Sequence, residues 1–434
     1  MIGHLEAALE LAPGPTRRAL QALVRFYRTG EREDRVAYDK AWVADTDSAV
    51  DTINGFIEVY MDPRGKKGSW EGIVFYEDPN KAELIKRIAA QAQWFEDHMP
   101  YADAFKKPDV KGITARSIDV VIETGDSGPV SPIGINLPND SSIREHFGSK
   151  SVSLANVVEA YAMSSGSSST QEFCWDEAEI ARAKKWQRLT QDLFTNMHEV
   201  IGHASGRQAP DKQGDPANWI KESYSTLEEG RADLIALYFM MDPKLEELGL
   251  VDDAEQAALA AYEHYTKNGG MLQLRRVKDS DQLEEDHMRN RQMVVHWIMA
   301  NSSAIEERER GGKHYLIVTD AKAWREAAGR LLDHVQTLKS TGDYAGAKQL
   351  VADYGTRFDP ALRDEVVARY ERLDIPSYTG FVMPRLTPVT NARGEITDVE
   401  ISYPLSLEQQ MLEWSGRRQP PRDPSSETAL RTPN

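Results

Sequence analysis

Two histidines stand five residues apart inside a strongly helical segment, in Met197-His198-Glu199-Val200-Ile201-Gly202-His203. Residues 177–204 carry helical period throughout. Four steps of about 100° would bring two imidazoles back to one face, where both could hold a single Zn²⁺. Five steps leave them roughly 140° apart. Joint ligation therefore demands one extra residue in the turn, a π-bulge, and such bulges recur at functional sites. Gly202, with no Cβ, eases that distortion.

Zinc in a catalytic site takes three protein ligands and keeps one position open. The third candidate lies 26 residues after His203, in Leu227-Glu228-Glu229-Gly230-Arg231-Ala232-Asp233-Leu234. This segment opens what reads as an amphipathic helix, with an apolar face continuing through Ala236, Leu237 and Phe239. Carboxylates at the start of a core-facing helix are costly to bury alone, and a metal with its histidines would satisfy them. Glu229 and Asp233 share a face, so one can bind metal while the other orients an imidazole N–H. His4, His98, His146, His264, His296, His314 and His334 lack such company and read as surface or packing residues.

Helical period dominates the remainder. Helices are predicted over 4–12, 15–28, 81–97, 177–204, 222–241, 254–267, 281–308, 321–338, 343–354 and 360–373. Residues 55–60 and 70–76 read as a β-hairpin around the turn DPRGKKG, and 118–122, 314–319 and 399–403 as further strands. Ser164–Thr170 (SSGSSST) reads as a flexible hinge, 206–218 as a polar loop and the last twenty residues as a disordered tail. The resulting organisation is a mostly helical lobe over 79–375, a smaller mixed α/β lobe gathering 1–78 and 376–414, and a tail over 415–434.

At 434 residues, two or three lobes are expected. Lys plus Arg number 52 against 69 Asp plus Glu, and a net charge of −17 argues against nucleic acid as a partner. The single cysteine, Cys174, excludes an internal disulfide and a cysteine-based metal cluster, and fits a reducing compartment. Glu6 and Glu10 interrupt the N-terminus where a signal peptide needs an apolar stretch, and no apolar run approaches the ~18 residues of a membrane span. A soluble, cytoplasmic protein without membrane partners is the expectation.

HEVIGH followed by EEGRAD resembles the paired signature of the dipeptidyl peptidase III family, the M49 zinc peptidases, whose pattern is HExxGH then EExRA(E/D). FIEVYMDPRGKKGSWEG, PIGINLPN, SKSVSLANVVEAY, DHMRNRQ and LKSTGDYAGAKQLV resemble family segments in the family's order, most closely those of the bacterial branch. The resemblance implies an α+β, predominantly helical fold, in which the smaller lobe holds a partial β-barrel and a cleft separates it from the helical zinc lobe. It implies that His198, His203 and Glu229 hold one Zn²⁺ per chain, with Glu228, Asp233 and Arg291 supporting them. Glu199 would be the general base that deprotonates water on the zinc, and Tyr60 and His287 would steady the oxyanion. Glu58, Asn136 and Asn139 would hold the free amino terminus of a peptide, so that the second peptide bond is presented.

The implied activity is release of dipeptides from the N-terminus of short peptides. Family members are longer, and what is missing here is N-terminal, so the chain is either a fragment or a short form. Two rival readings follow: a low-activity, peptide-binding module, and a zinc peptidase of different exo/endo specificity. Surface left by the missing region would also let copies of the chain associate.

Overall fold

The computed structural model describes residues 1–417 apart from Asp47, 59–67, Asp78, 111–114, 128–130, Ile133, Asn139, 141–142, 144–145, Ser149, Gln213, 278–279 and 376–380. Its contacts divide the chain into two units. The larger comprises Met1–Val50, Glu77–Asp119 and Ile133–Ser377, and the smaller Asp51–Tyr76, Val120–Pro132 and Tyr378–Asn434. This differs from the sequence-based boundaries at the N-terminus, because the first fifty residues group with the helical unit. They form α1 (Ile2–Leu11), α2 (Gly14–Thr29) and α3 (Arg32–Val43), and α3 was not foreseen. Gly30 ends α2 in the left-handed region at φ 70°, its N–H returning to Phe26 O.

Strands β1 (Val50–Glu58), β2 (Ser69–Glu77) and β3 (Ala115–Gly125) follow, with helices α4 (Pro79–Ala90) and α5 (Ala92–Asp97) between β2 and β3. Strands β4 (Gly134–Leu137) and β5 (Lys150–Leu154) complete a sheet of order β1-β2-β3-β5-β4. In the larger unit, the start of β3 runs parallel to β5, Ala115 facing Ser151, and β5 runs antiparallel to β4. Strand β4 ends at Leu137, and a cis Leu137–Pro138 bond follows it.

The helical unit continues through α6 (Ala155–Phe173), α7 (Glu177–Met197), α8 (Ala217–Ile220), α9 (Tyr224–Met240), α10 (Lys244–Glu247), α11 (Ala254–Gly270) and α12 (Asp286–Asn301). Strands β6 (Ile305–Glu309) and β7 (His314–Val318) form a hairpin, before α13 (Ala321–Thr341), α14 (Tyr344–Val351) and α15 (Pro360–Leu373). Aspartates cap several of these helices: Asp176 accepts from Glu179 N, Asp253 from Gln256 N and Asp320 from Lys322 N and Ala323 N.

Three local expectations are corrected. Ser164–Thr170 lies within α6, not in a hinge; its helix is anchored by buried Val157 and Phe173, and packing overrides the weak helix propensity of serine and glycine. Residues 305–308 leave the helix at Ser302, whose backbone is extended, and pair as β6. Helix α9 is not amphipathic but buried on every face, which makes it the central helix of the unit, against α12, α13 and the segment after α7.

In the smaller unit, β8 (Arg385–Thr390) and β9 (Ile396–Ser402) form a two-stranded ribbon, followed by α16 (Leu407–Arg417), which takes in the first residues of the expected tail. Among the described residues no helix is long and apolar enough to cross a membrane.

Candidate metal centre

The expected π-turn is present. After α7 the backbone passes into a π-helix over His198–Gly202, and His203 N bonds back to His198 O at 3.2 Å, five residues away. The imidazoles meet at a ring angle of 86°, with their Nε2 atoms 3.1 Å apart. Gly202 has a role beyond easing the turn. A Cβ there would lie 2.8 Å from Ala232 Cβ and 2.9 Å from Ala232 Cα, so only glycine lets the turn rest against α9.

That close contact sets the carboxylates of α9 beneath the histidines. Glu229 Oε2 lies 3.2 Å from His198 Nε2 and 3.9 Å from His203 Nε2. His198 Nδ1 donates to Asp233 Oδ1 at 2.8 Å, and His203 Nδ1 to Glu228 Oε1 at 3.2 Å. Asp233 is itself held by Tyr265 Oη at 2.7 Å and Asn290 Nδ2 at 3.1 Å. His287 Nδ1, on the half-open side of the cluster, is 3.7 Å from Glu229 Oε2. Donor atoms of His198, Glu199 and His203 all lie within 4.8 Å of one another.

These residues fit a metal ion. Because both Nδ1 atoms donate to carboxylates, both Nε2 atoms are lone-pair donors, and they converge with a carboxylate oxygen. Without a cation three acceptors would face one another. Two nitrogens bound tetrahedrally to zinc at about 2.0–2.1 Å stand about 3.3 Å apart, close to the 3.1 Å seen here. The cluster holds its carboxylates ionised even when it carries protons instead of a metal ion. When protons rather than a metal ion occupy the imidazoles, burial pushes the Glu229 carboxyl up, but the hydrogen bond from His198 and the positive charge of the neighbouring imidazoles outweigh it and hold the group at about 2. Burial likewise opposes ionisation of Glu228, yet Arg231 and Lys339 keep it well below the usual carboxylate range.

The sequence model of the M49 peptidases, Peptidase family M49, matches residues 1–225 and 212–372. The chain belongs to this family. It is 25% identical to dipeptidyl peptidase 3 of Rattus norvegicus, over 86% of this chain and 56% of the relative. With the Homo sapiens protein of the same name it shares 25% identity over 81% of this chain and 53% of the relative. The chain thus spans little more than half the length of these curated relatives. Its fold is similar to the structure of DPP III from Caldithrix abyssi, at TM-score 0.70 and 22% identity, covering 85% of this chain and 67% of that one. The dipeptidyl-peptidase III of Corallococcus sp. strain EGB gives 0.64 and 20%, covering 86% and 66%. An α+β, predominantly helical M49 fold is therefore established.

Of the residues singled out in sequence, His198, Glu199, His203, Glu228, Glu229, Asp233 and His287 gather in this M49 chain. Arg291 stands further off: it donates to Gln273 Oε1 at 3.4 Å, and its charge is felt by Tyr265. Tyr60 and Asn139 lie outside the described residues. Glu58 and Asn136 are placed by backbone alone, in β1 and β4. Sequence reasoning missed Tyr265, Asn290 and Lys339, which hold the outer carboxylates from three other helices. Asn290 offered a faint signal, as a polar residue one turn from His287 in DHMRNR, whereas Tyr265 and Lys339 offered none.

Proposed function

We propose that this chain is a zinc-dependent peptidase that releases dipeptides from the N-terminus of short peptides. One observation carries the reading: two imidazole nitrogens and the Glu229 carboxylate converge while the far side of each imidazole is tied to a carboxylate. His198, His203 and Glu229 would hold one Zn²⁺, which when bound supplies Lewis-acid polarisation of the scissile carbonyl and acidifies water. Glu199, in the same donor cluster, takes the proton of the attacking water and returns it to the leaving amine. His287, 3.7 Å from Glu229, donates to the oxyanion together with Tyr60. Glu228 and Asp233 fix the imidazole tautomers. Glu58, Asn136 and Asn139 hold the peptide's free amine, and by that anchoring select the second bond. The single, buried Cys174 supports a cytoplasmic setting.

The test is release of chromophore from a dipeptidyl arylamide, with and without chelator. Turnover that survives both chelation and Glu199→Gln sinks the reading. Cleavage of an N-terminally blocked peptide would instead point to an endopeptidase. Because the chain spans little more than half of its curated relatives, a peptide-binding module of low activity is the second reading, favoured by calorimetric binding without turnover.

We also propose that copies of the chain associate through the ribbon. The register puts Leu386 opposite Ile401 and Pro388 opposite Val399 on one face, with Ile396 beyond them, and all five are exposed. An apolar face of that kind on a soluble protein marks a contact surface.

A further inference from the structure

Arg231 is fully buried within α9, and burying a guanidinium is costly unless its donors are satisfied. Nε and Nη2 form a fork on Glu228, at 2.9 and 2.6 Å. Nη2 also donates to Gly202 O at 2.9 Å, and Nη1 to Ser205 O at 3.1 Å. Those two carbonyls flank His203. After the π-turn's own bond from His203 N to His198 O, Ser205 N returns to Ile201 O at 3.1 Å and reaches Gly202 O only weakly, at 3.4 Å, so that the Arg231 guanidinium at 2.9 Å is the nearer donor to Gly202 O. One side chain therefore grips the backbone on both sides of His203 and also the carboxylate that accepts from His203 Nδ1.

We infer that Arg231 is the positioning residue for His203: it pins the open end of the π-turn and sets the imidazole's rotation through Glu228, so that Nε2 meets its partner from His198. The inference rests on the metal-binding reading above. Lysine cannot substitute, because a compact ammonium lacks the planar fork that reaches a carboxylate and two carbonyls at once. Lys339 Nζ, 2.6 Å from Glu228 Oε2, adds charge to the same carboxylate from α13 but donates to neither carbonyl. It is therefore a control that separates charge from clamp.

The experiment titrates metal-free protein with Zn²⁺ against a chromogenic chelator, for wild type, Arg231→Lys and Lys339→Met, and records the visible spectrum of each Co²⁺-loaded form and the melting of each apo form. Arg231→Lys is expected to bind zinc about 10–100-fold more weakly, the usual cost of losing an outer partner of a metal site, and to alter the cobalt bands. Lys339→Met is expected to lose less affinity and to keep those bands. Arg231→Lys binding zinc as tightly as wild type with an unchanged cobalt spectrum overturns the inference, whatever its melting temperature. If Arg231→Lys fails to fold, Glu228→Gln carries the test: it breaks the charged fork while leaving an acceptor for His203, and wild-type affinity there overturns the inference equally. A wild-type protein that takes up no zinc refutes the metallopeptidase reading itself, an outcome distinct from a variant that binds as wild type does.

Discussion

Gly202 and Ala232 touch across two helical segments so closely that a methyl group on Gly202 would fall 2.8 Å from Ala232 Cβ and 3.1 Å from Ala232 O. The obstacle is backbone and a short side chain, neither of which can swing aside. Gly202→Ala is expected to cost about 1–3 kcal/mol by overpacking and to lift His203 away from Glu229. A thermal melt and a zinc stoichiometry measured on the same sample check both effects; a variant with wild-type melting and full metal content would contradict them.

Glu199 is expected to matter for turnover and not for metal retention. Glu199→Gln keeps the side chain's size but removes the base, which in proton-transfer catalysis is worth about 10²–10⁴-fold. Steady-state kinetics alongside metal analysis by atomic emission should show kcat reduced on that scale with one zinc per chain still bound. Loss of metal in parallel would make Glu199 a ligand instead.

Removing the ion should loosen the helical unit. The imidazoles of His198 and His203 and the Glu229 carboxylate come together at a single point, and their mutual repulsion is relieved only by a cation or by protons. Chelation is expected to lower the melting temperature, and added Zn²⁺ to restore it in a concentration-dependent way. A melt insensitive to chelator would count against metal occupancy in solution.

His264 gives a pH dependence independent of the metal ligands. Burial, then the charges of Lys267 and Arg291, push its imidazole down to about 4, and Gln187 and Gln191 each face one ring nitrogen. Its unfolded value is about 6.5, so between roughly pH 6.5 and 4 the unfolded chain binds the extra proton. The stability is present above that window and is lost as pH falls through it, with a ceiling of about 3 kcal/mol. His264→Gln should flatten the urea midpoint's dependence on pH between 7 and 4.5. An unchanged slope would assign the acid sensitivity to other groups.

The apolar face of the β8–β9 ribbon should reveal itself by mass. Light scattering behind size exclusion is expected to show association that rises with protein concentration and is reduced by Val399→Lys with Ile401→Ser. A strictly monomeric wild type would remove this surface from consideration.

Much of the metal centre is legible in the sequence because its constraints are local. The five-residue spacing of His198 and His203 requires a π-turn, and Glu229 and Asp233, four apart, must share a helix face. What holds those residues comes from distant segments. Tyr265 and Asn290 converge on Asp233 only once α11 and α12 pack against α9, and Lys339 reaches Glu228 across 111 residues of sequence. The run Ser164–Thr170 misleads for the same reason, since its composition favours a linker while its buried flanks impose a helix. At Ile305–Glu309 one buried isoleucine is followed by four consecutive exposed charged residues, with no period-2 alternation to mark a strand, so the segment reads as the polar end of a helix until the pairing with His314–Val318 is known.

Asp233 and Glu228 already spend their oxygens on histidine, tyrosine, asparagine, arginine and lysine donors. On the proposed reading, a metal ion would be offered two nitrogens and one carboxylate from His198, His203 and Glu229, a set that many first-row divalent ions accept in the order of the Irving–Williams series. Selection among them would then fall to the metal pools around the protein rather than to its shape, and full zinc content in the purified chain should depend on zinc outweighing its competitors in the last medium.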